Sequence, residues 1–142
     1  MSSTGLASFD STVQTTNVWL NELMEELGWK DRQRAYHALR TVLHVLRDRL
    51  TIEEVTNLGA QLPMLIRGFY YEGWHPSRRP LKKPRKREEF LAPIADAFRD
   101  NPEISPEGVL WAVFKVMERH ISPGEIKDIK QILPESVRAL CP

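Results

Sequence analysis

The apolar residues of this chain recur every three or four positions, the spacing that places them on one face of an α-helix. No segment alternates apolar and polar residues with a period of two, and runs of β-branched residues are absent. The pattern predicts an all-α protein. A first helix is predicted to begin near Ser11, which has capping-box spacing to Gln14, and to end at Gly28. Its apolar face comprises Trp19, Leu20, Leu23, Met24 and Leu27.

The next three helices follow from the same periodicity and from clear caps. Asp31 is the predicted N-cap of the second helix, and Thr51 and Glu54 form a capping box that opens the third. Pro63 ends the third helix and begins a short fourth helix at about 63–71, with Leu65, Ile66, Phe69 and Tyr70 as its apolar residues. The second helix has the widest apolar stripe: Ala35, Ala38, Leu39, Val42, Leu43, Val45, Leu46 and Leu50.

The same plan appears twice. Residues 39–63 align without a gap on residues 110–134, at an offset of 71 residues. Ser105 is a second N-cap, Ser122 and Glu125 a second capping box, and Pro134 a second break. The stripe of the first helix recurs as Phe90, Leu91, Ile94 and Phe98. We therefore predict a helical bundle of two pseudo-repeats, each with three longer helices and one short helix, sharing one core.

The predicted organisation is a flexible N-terminus at 1–10 and a single helical domain at 11–142. Repeat one covers about 11–71, a basic, proline-rich linker about 72–87, and repeat two about 88–142. Each half alone would leave a wide apolar face in water, and burying such a face stabilises by about 25 cal/mol per Å². That is why the two halves are expected to pack on each other.

The linker concentrates the positive charge. Residues 72–90 hold seven basic and three acidic residues, a net charge of +4, although the whole chain carries only +1. Pro76, Pro80 and Pro84 disfavour helix there. The cations are Arg78, Arg79, Lys82, Lys83, Arg85, Lys86 and Arg87, and the aromatic residues before them are Phe69, Tyr70, Tyr71 and Trp74.

Two interpretations of this linker stay open. It can be an anion-binding arm, since Lys and Arg neutralise phosphates and aromatic rings stack on bases. It can equally be a solvated, proline-stiffened connection whose aromatic residues pack beneath it. A basic run of this size also suits anionic lipid or an acidic protein.

Composition sets the remaining bounds. The 42% hydrophobic and 27% charged residues are ordinary for a globular domain. Cys141 is the single cysteine, so no internal disulfide forms, which fits a reducing compartment. No apolar run approaches the roughly 20 residues of a membrane span, and the N-terminus lacks the basic start and apolar core of a signal peptide. We expect a cytoplasmic protein.

The sequence offers little chemistry. His37 and His44 lie two helical turns apart, too far to share one metal ion, so no metal site and no cofactor are predicted. There is no nucleophile elbow and no glycine-rich phosphate loop. Glu72, among aromatic residues, is either a proton-transfer group or a hydrogen-bonded anchor for the turn, through Trp74 or a linker arginine. Arg67 and Arg138, at equivalent positions, either close helix ends or pair with acids of the other half.

Four segments together resemble DUF2267, a bacterial and archaeal family of unknown function. They are AYHALRTVLHVLRDRL (35–50), AQLPMLIRGFYYEGWHP (60–76), REEFLAPIADAF (87–98) and ISPGEIKDIKQILPESVRALC (121–141). The resemblance implies an all-α, soluble prokaryotic protein and no activity, so no catalytic residues are carried over.

Three hypotheses of function remain. The first is a non-enzymatic helical module that binds an unidentified protein partner through a groove between the halves or through the linker face. The second is weak binding of nucleic acid or another polyanion through Arg78–Arg87. The third is an enzyme with a site at the Tyr70–Trp74 turn and Glu72 as acid or base.

Overall fold

Every regular element in residues 3–77 and 86–142, the parts of the chain that the computed structural model describes, is an α-helix. Those ranges contain no strand, which confirms the predicted all-α fold. The helices are Ala7–Leu27 (α1), Arg32–Arg47 (α2), Ile52–Gln61 (α3), Met64–Tyr71 (α4), Arg87–Ala97 (α5), Pro106–His120 (α6), Pro123–Ile132 (α7) and Glu135–Arg138 (α8).

The apolar stripes of all eight helices enter one core. Helices α2 and α6 contact each other, and each also packs on α1 and α5. The eight apolar residues predicted to face inward from the second helix are all buried. The prediction that the two halves share one core is confirmed.

Most predicted caps are present. Gly28 has φ 67°, the left-handed conformation that ends α1, and the Asp31 carboxylate accepts a hydrogen bond from the backbone N–H of Arg34 at 3.2 Å. The capping box of α3 is complete, because Thr51 Oγ1 accepts from the N–H of Glu54 and the Glu54 carboxylate accepts from the N–H of Thr51. These caps fix where the chain enters and leaves the core helices.

The predicted start of the first helix was wrong. Helix α1 begins at Ala7, so the Ser11 and Gln14 side chains lie inside it and form no capping box. The start is braced by Thr4, whose N–H and hydroxyl both donate to the Asp10 carboxylate, at 3.0 and 2.7 Å. The additional turn places apolar residues that precede Ser11 on the same helix face as Leu20.

The second capping box is only half formed. Ser122 Oγ accepts from the N–H of Glu125 at 3.3 Å, but the N–H of Ser122 donates to Gln61 Oε1 at 2.8 Å instead of to the Glu125 carboxylate. Gln61 Nε2 also donates to Ser122 Oγ, at 3.0 Å. Because α3 packs against α7, the Gln61 amide competes successfully for the cap and ties the two halves together.

Arg67 and Arg138 both close helix ends, which is the first of the two alternatives that the sequence left open. Each guanidinium donates to three carbonyls at the end of the preceding helix, where carbonyls run short of backbone donors. The acceptors of Arg67 are Gly59, Ala60 and Leu62, and those of Arg138 are Lys130, Gln131 and Leu133. Both sets lie at the 71-residue offset, although the structural equivalence of the complete halves stays a prediction.

Candidate functional site

The aromatic turn, residues 70–74, is packed from within. Tyr70 is fully buried, and its hydroxyl donates to the carbonyl of Val55 at 2.8 Å. The Tyr71 ring lies between those of Tyr70 and Trp74, at centroid distances of 4.9 and 5.5 Å. Burial raises the pKa of Tyr70 far above its usual range. The phenol of Tyr70 is therefore committed to the core.

Two side chains of α2 hold the end of α4. His44 Nε2 donates to the carbonyl of Phe69 at 2.6 Å, and the buried Arg47 donates to the carbonyls of Tyr70 and Glu72, both at 2.9 Å. These carbonyls lie where a helix runs out of its own donors. Burial and nearby arginines lower the pKa of His44, which favours its neutral form. Gly73, at φ 79°, then turns the chain away.

The Glu72 carboxylate has a partner that the sequence did not indicate. It accepts a hydrogen bond from Arg40 of α2 at 3.2 Å, whereas the predicted partners were Trp74 or a linker arginine. Among the linker arginines, the following lie outside the described residues: Arg78, Arg79 and Arg85. Its side chain is 66% exposed, so this ion pair lies at the surface. Glu72 thus combines a backbone anchored by α2 with a side chain that faces solvent.

The basic segment lies largely outside the described residues. Arg78, Arg79, Lys82, Lys83 and Arg85 all fall in the range 78–85. Lys86 is the N-cap of α5, and Arg87, which was counted in the linker, is the first residue of that helix. Both side chains are exposed, and neither has an ion pair within residues 3–77 and 86–142.

His37 and His120, like His44, make structural contacts. His37 Nε2 donates to the carbonyl of Ala97 at 3.1 Å, which links α2 to the end of α5. His120 stacks on Trp19 at 4.9 Å and is 2.9 Å from a carboxylate oxygen of Glu22. In the described residues, no three His, Cys, Asp or Glu side chains are grouped so as to hold a metal ion.

A largely apolar groove, which the sequence analysis did not predict, lies between α1 and α4. We call it the α1–α4 groove. It encloses about 700 Å³, and the hydroxyl of Thr12 accepts from the N–H of Leu65 at 2.9 Å, which fixes the two helices side by side. Its apolar lining comprises Phe9, Val13, Leu20, Met64, Leu65 and Phe69.

Several of these lining residues are exposed although they are large and apolar. Phe9, Val13, Met64 and Leu65 are all exposed. Leu65 was named among the apolar residues of the fourth helix, but it is exposed, whereas Ile66 and Phe69 of the same helix are buried. The sequence did hold a signal: Leu6, Phe9, Val13, Thr16 and Leu20 follow one another at spacings of three and four residues.

A polar cavity adjoins the groove. It encloses about 430 Å³ between α2 and the end of α5. Tyr36 and Glu72 line both spaces, so they form the shared wall. The polar residues that line this cavity are Asp31, Gln33, Arg34, His37, Arg40 and Asn101, together with Glu72.

Comparison with known proteins identifies the family and little else. The profile of the family described as "Uncharacterized conserved protein (DUF2267)" matches residues 16–140. The chain therefore belongs to the DUF2267 family, as its four characteristic segments indicated. A search of curated proteins finds no match. Among the described helices, none is both long and apolar enough to cross a membrane.

Proposed function

We propose that this member of the DUF2267 family is a non-enzymatic protein-interaction module whose working surface is the α1–α4 groove. The observation that carries the proposal is the exposure of Phe9, Val13, Met64 and Leu65 around one groove of about 700 Å³. Exposed apolar side chains that are grouped around a groove are a feature of protein interaction sites, whereas apolar residues exposed singly need no explanation.

The energetic argument is direct. Each Å² of apolar surface that a partner covers contributes about 25 cal/mol to the driving force, before the costs of association. Met64 is 52% exposed, so much of its apolar surface, like that of its neighbours in the groove, remains in contact with water in the folded chain. The groove walls are also held in place, because Arg47 and His44 anchor the end of α4 and Thr12 anchors its beginning.

A binding role rather than a catalytic one is supported by the state of the candidate acid–base groups. The Tyr70 hydroxyl is hydrogen-bonded in the core, and the Glu72 carboxylate is paired with Arg40 at the surface. A general acid or base needs to be within reach of a substrate and to have a pKa near the working pH. Burial instead raises the pKa of Tyr70, which moves it further from a neutral working pH.

The test is quantitative affinity capture from lysate of the native organism with three baits. They are the wild-type protein, Met64→Glu and Ile52→Glu. Ile52 is the matched control, because it is 53% exposed and lies on α3 outside the groove lining. We expect partners retained by wild type and Ile52→Glu and lost by Met64→Glu. Retention that does not distinguish the two variants contradicts the proposal.

Polyanion binding through the basic segment is a second candidate. What favours it is that Lys86 and Arg87 are exposed and lack ion pairs within the described chain, at the edge of a segment with net charge +4. Its test is binding of a fluorescent single-stranded DNA as salt is varied. Each phosphate contact should contribute about 0.7 to the slope of log affinity against log salt. An affinity unchanged by neutralising all seven cations contradicts it.

A further inference from the structure

The α1–α4 groove does not end in open solvent on all sides. At Tyr36 and Glu72 it meets the polar cavity between α2 and α5. A partner that fills the groove therefore has charged groups within reach beside its apolar face. The charge that such a partner should carry beside the cavity is opposite to that of any cavity group that has no counter-ion within the described part of this chain.

Some charged groups of the cavity already have partners within the chain. The Asp31 carboxylate accepts the hydrogen bond that caps α2, and Arg40 is paired with Glu72. Arg34 is different, because its guanidinium lies 5.6 Å from the centre of the Trp29 ring and has no ion pair within the described residues. Stacking on an aromatic face fixes the orientation of a guanidinium while leaving its N–H groups free to donate.

The form of the partner follows from the fold. The described residues contain only helices, so there is no strand edge to which an extended peptide could add its backbone. A helix satisfies its own backbone hydrogen bonds and presents apolar side chains at positions i, i+3, i+4 and i+7. The open side of the groove also suits a macromolecule better than a small molecule, which is normally enclosed on most of its surface.

The geometry points to an amphipathic helix of a partner protein as the occupant, with its apolar face in the α1–α4 groove and an acidic side chain paired with Arg34. This inference rests on the proposed function and adds the chemistry of the partner. The carboxylate accepts from the N–H groups at the in-plane edge of the guanidinium, which stacking on Trp29 leaves open, and a carboxylate suits that planar donor set better than other side chains do.

The probe is a displayed library of amphipathic helices, each about four turns long, with variable charged positions beside the apolar face. We expect wild-type protein to select helices that carry Asp or Glu at the end nearest the polar cavity. Replacing that acid with glutamine should weaken binding about fivefold, as for a half-exposed ion pair. Arg34→Glu should weaken the acidic helix similarly and should favour a variant of the helix with lysine there.

Controls separate this inference from the proposed function. Lys30→Glu changes an exposed charge outside the cavity lining and should leave affinity unchanged. If Met64→Glu abolishes binding of the helix, but replacing the acid of the helix with glutamine and Arg34→Glu both leave affinity unchanged, the proposed function stands and the inference is overturned. The inference is also overturned if the protein forms a dimer that Met64→Glu dissociates, because a second copy of this chain is then the occupant. It is likewise overturned if the protein selects no helix but binds laurate, a fatty acid, because the occupant is then a lipid.

Discussion

Replacing Arg47 with methionine is expected to destabilise the fold by about 3 kcal/mol. The Arg47 side chain is 6% exposed and donates to the carbonyls of Tyr70 and Glu72, each at 2.9 Å. Methionine keeps most of the volume and supplies no donor. Leaving the buried Tyr70 carbonyl without a donor costs about 1–3 kcal/mol, and the partly buried Glu72 carbonyl and the lost ion pair with Asp48, at 2.9 Å, bring the total to about 2–5 kcal/mol. Relief from burying a charge offsets part of this, which places the net value near 3 kcal/mol.

Arg40→Met is the matched control for that variant. It removes an arginine from the same helix and from the same glutamate, but the Arg40 side chain is 33% exposed and contacts the solvent-facing carboxylate of Glu72. A surface ion pair contributes at most about 1 kcal/mol. The assay is urea unfolding followed by far-ultraviolet circular dichroism, with equal m-values as the check on two-state behaviour. If the two variants unfold within about 0.5 kcal/mol of each other, the argument that Arg47 supports the turn is refuted, since it depends on the unpaired carbonyls.

Three further predictions concern single groups. Gly59→Ala places a methyl group where it overlaps the Tyr71 hydroxyl and should cost about 1–3 kcal/mol in urea unfolding. Burial and neighbouring carboxylates raise the pKa of Glu125, so the fold is more stable when this carboxyl is protonated, and that stability is lost as pH rises through its pKa. Glutamine cannot ionise, so Glu125→Gln should increase thermal stability at pH 7 more than at pH 4. Burial raises the pKa of Cys141 to about 11, so its reaction with a disulfide reagent at pH 8 should be at least about tenfold slower than that of an exposed thiol, because the smaller thiolate fraction outweighs the greater reactivity of that thiolate.

Each of these has an outcome that would count against it. Gly68→Ala is the control for the first, because nothing lies within 4 Å of its added methyl group, and equal losses would contradict the overlap with Tyr71. An increase in stability for Glu125→Gln that is as large at pH 4 as at pH 7 would show that the charge is not responsible. Rapid labelling of Cys141 in the folded protein would show that its thiol is not buried.

The sequence predicted the core helices well because their signals are local and redundant. The stripe of α2 recurs at helical spacing over four turns, and Thr51 with Glu54 satisfies its own cap without help from the rest of the fold. Ser122 shows the limit of such reasoning. Its serine cap was predictable, but the partner of its N–H was decided by Gln61, which lies 61 residues away in the chain.

The candidate site was predicted only in part. The sequence singled out residues 70–74 for their aromatic rings, but burial of Tyr70 and the contacts of Arg47 and Arg40 from α2 determine how those residues are held. The α1–α4 groove was missed because Phe9 precedes the predicted start of the helix and was assigned to a flexible terminus. Exposed apolar residues at helical spacing look the same in a sequence as buried ones, so only packing distinguishes Leu65 from Ile66.

Site-specific photocrosslinking in living cells tests most directly whether the α1–α4 groove is the working surface. A photoreactive phenylalanine analogue at position 65, in the groove, is compared with the same analogue at position 52, an exposed apolar position outside it. The account predicts a discrete crosslinked protein from position 65 that position 52 does not give. Identical products from both positions, or none from position 65, would contradict it.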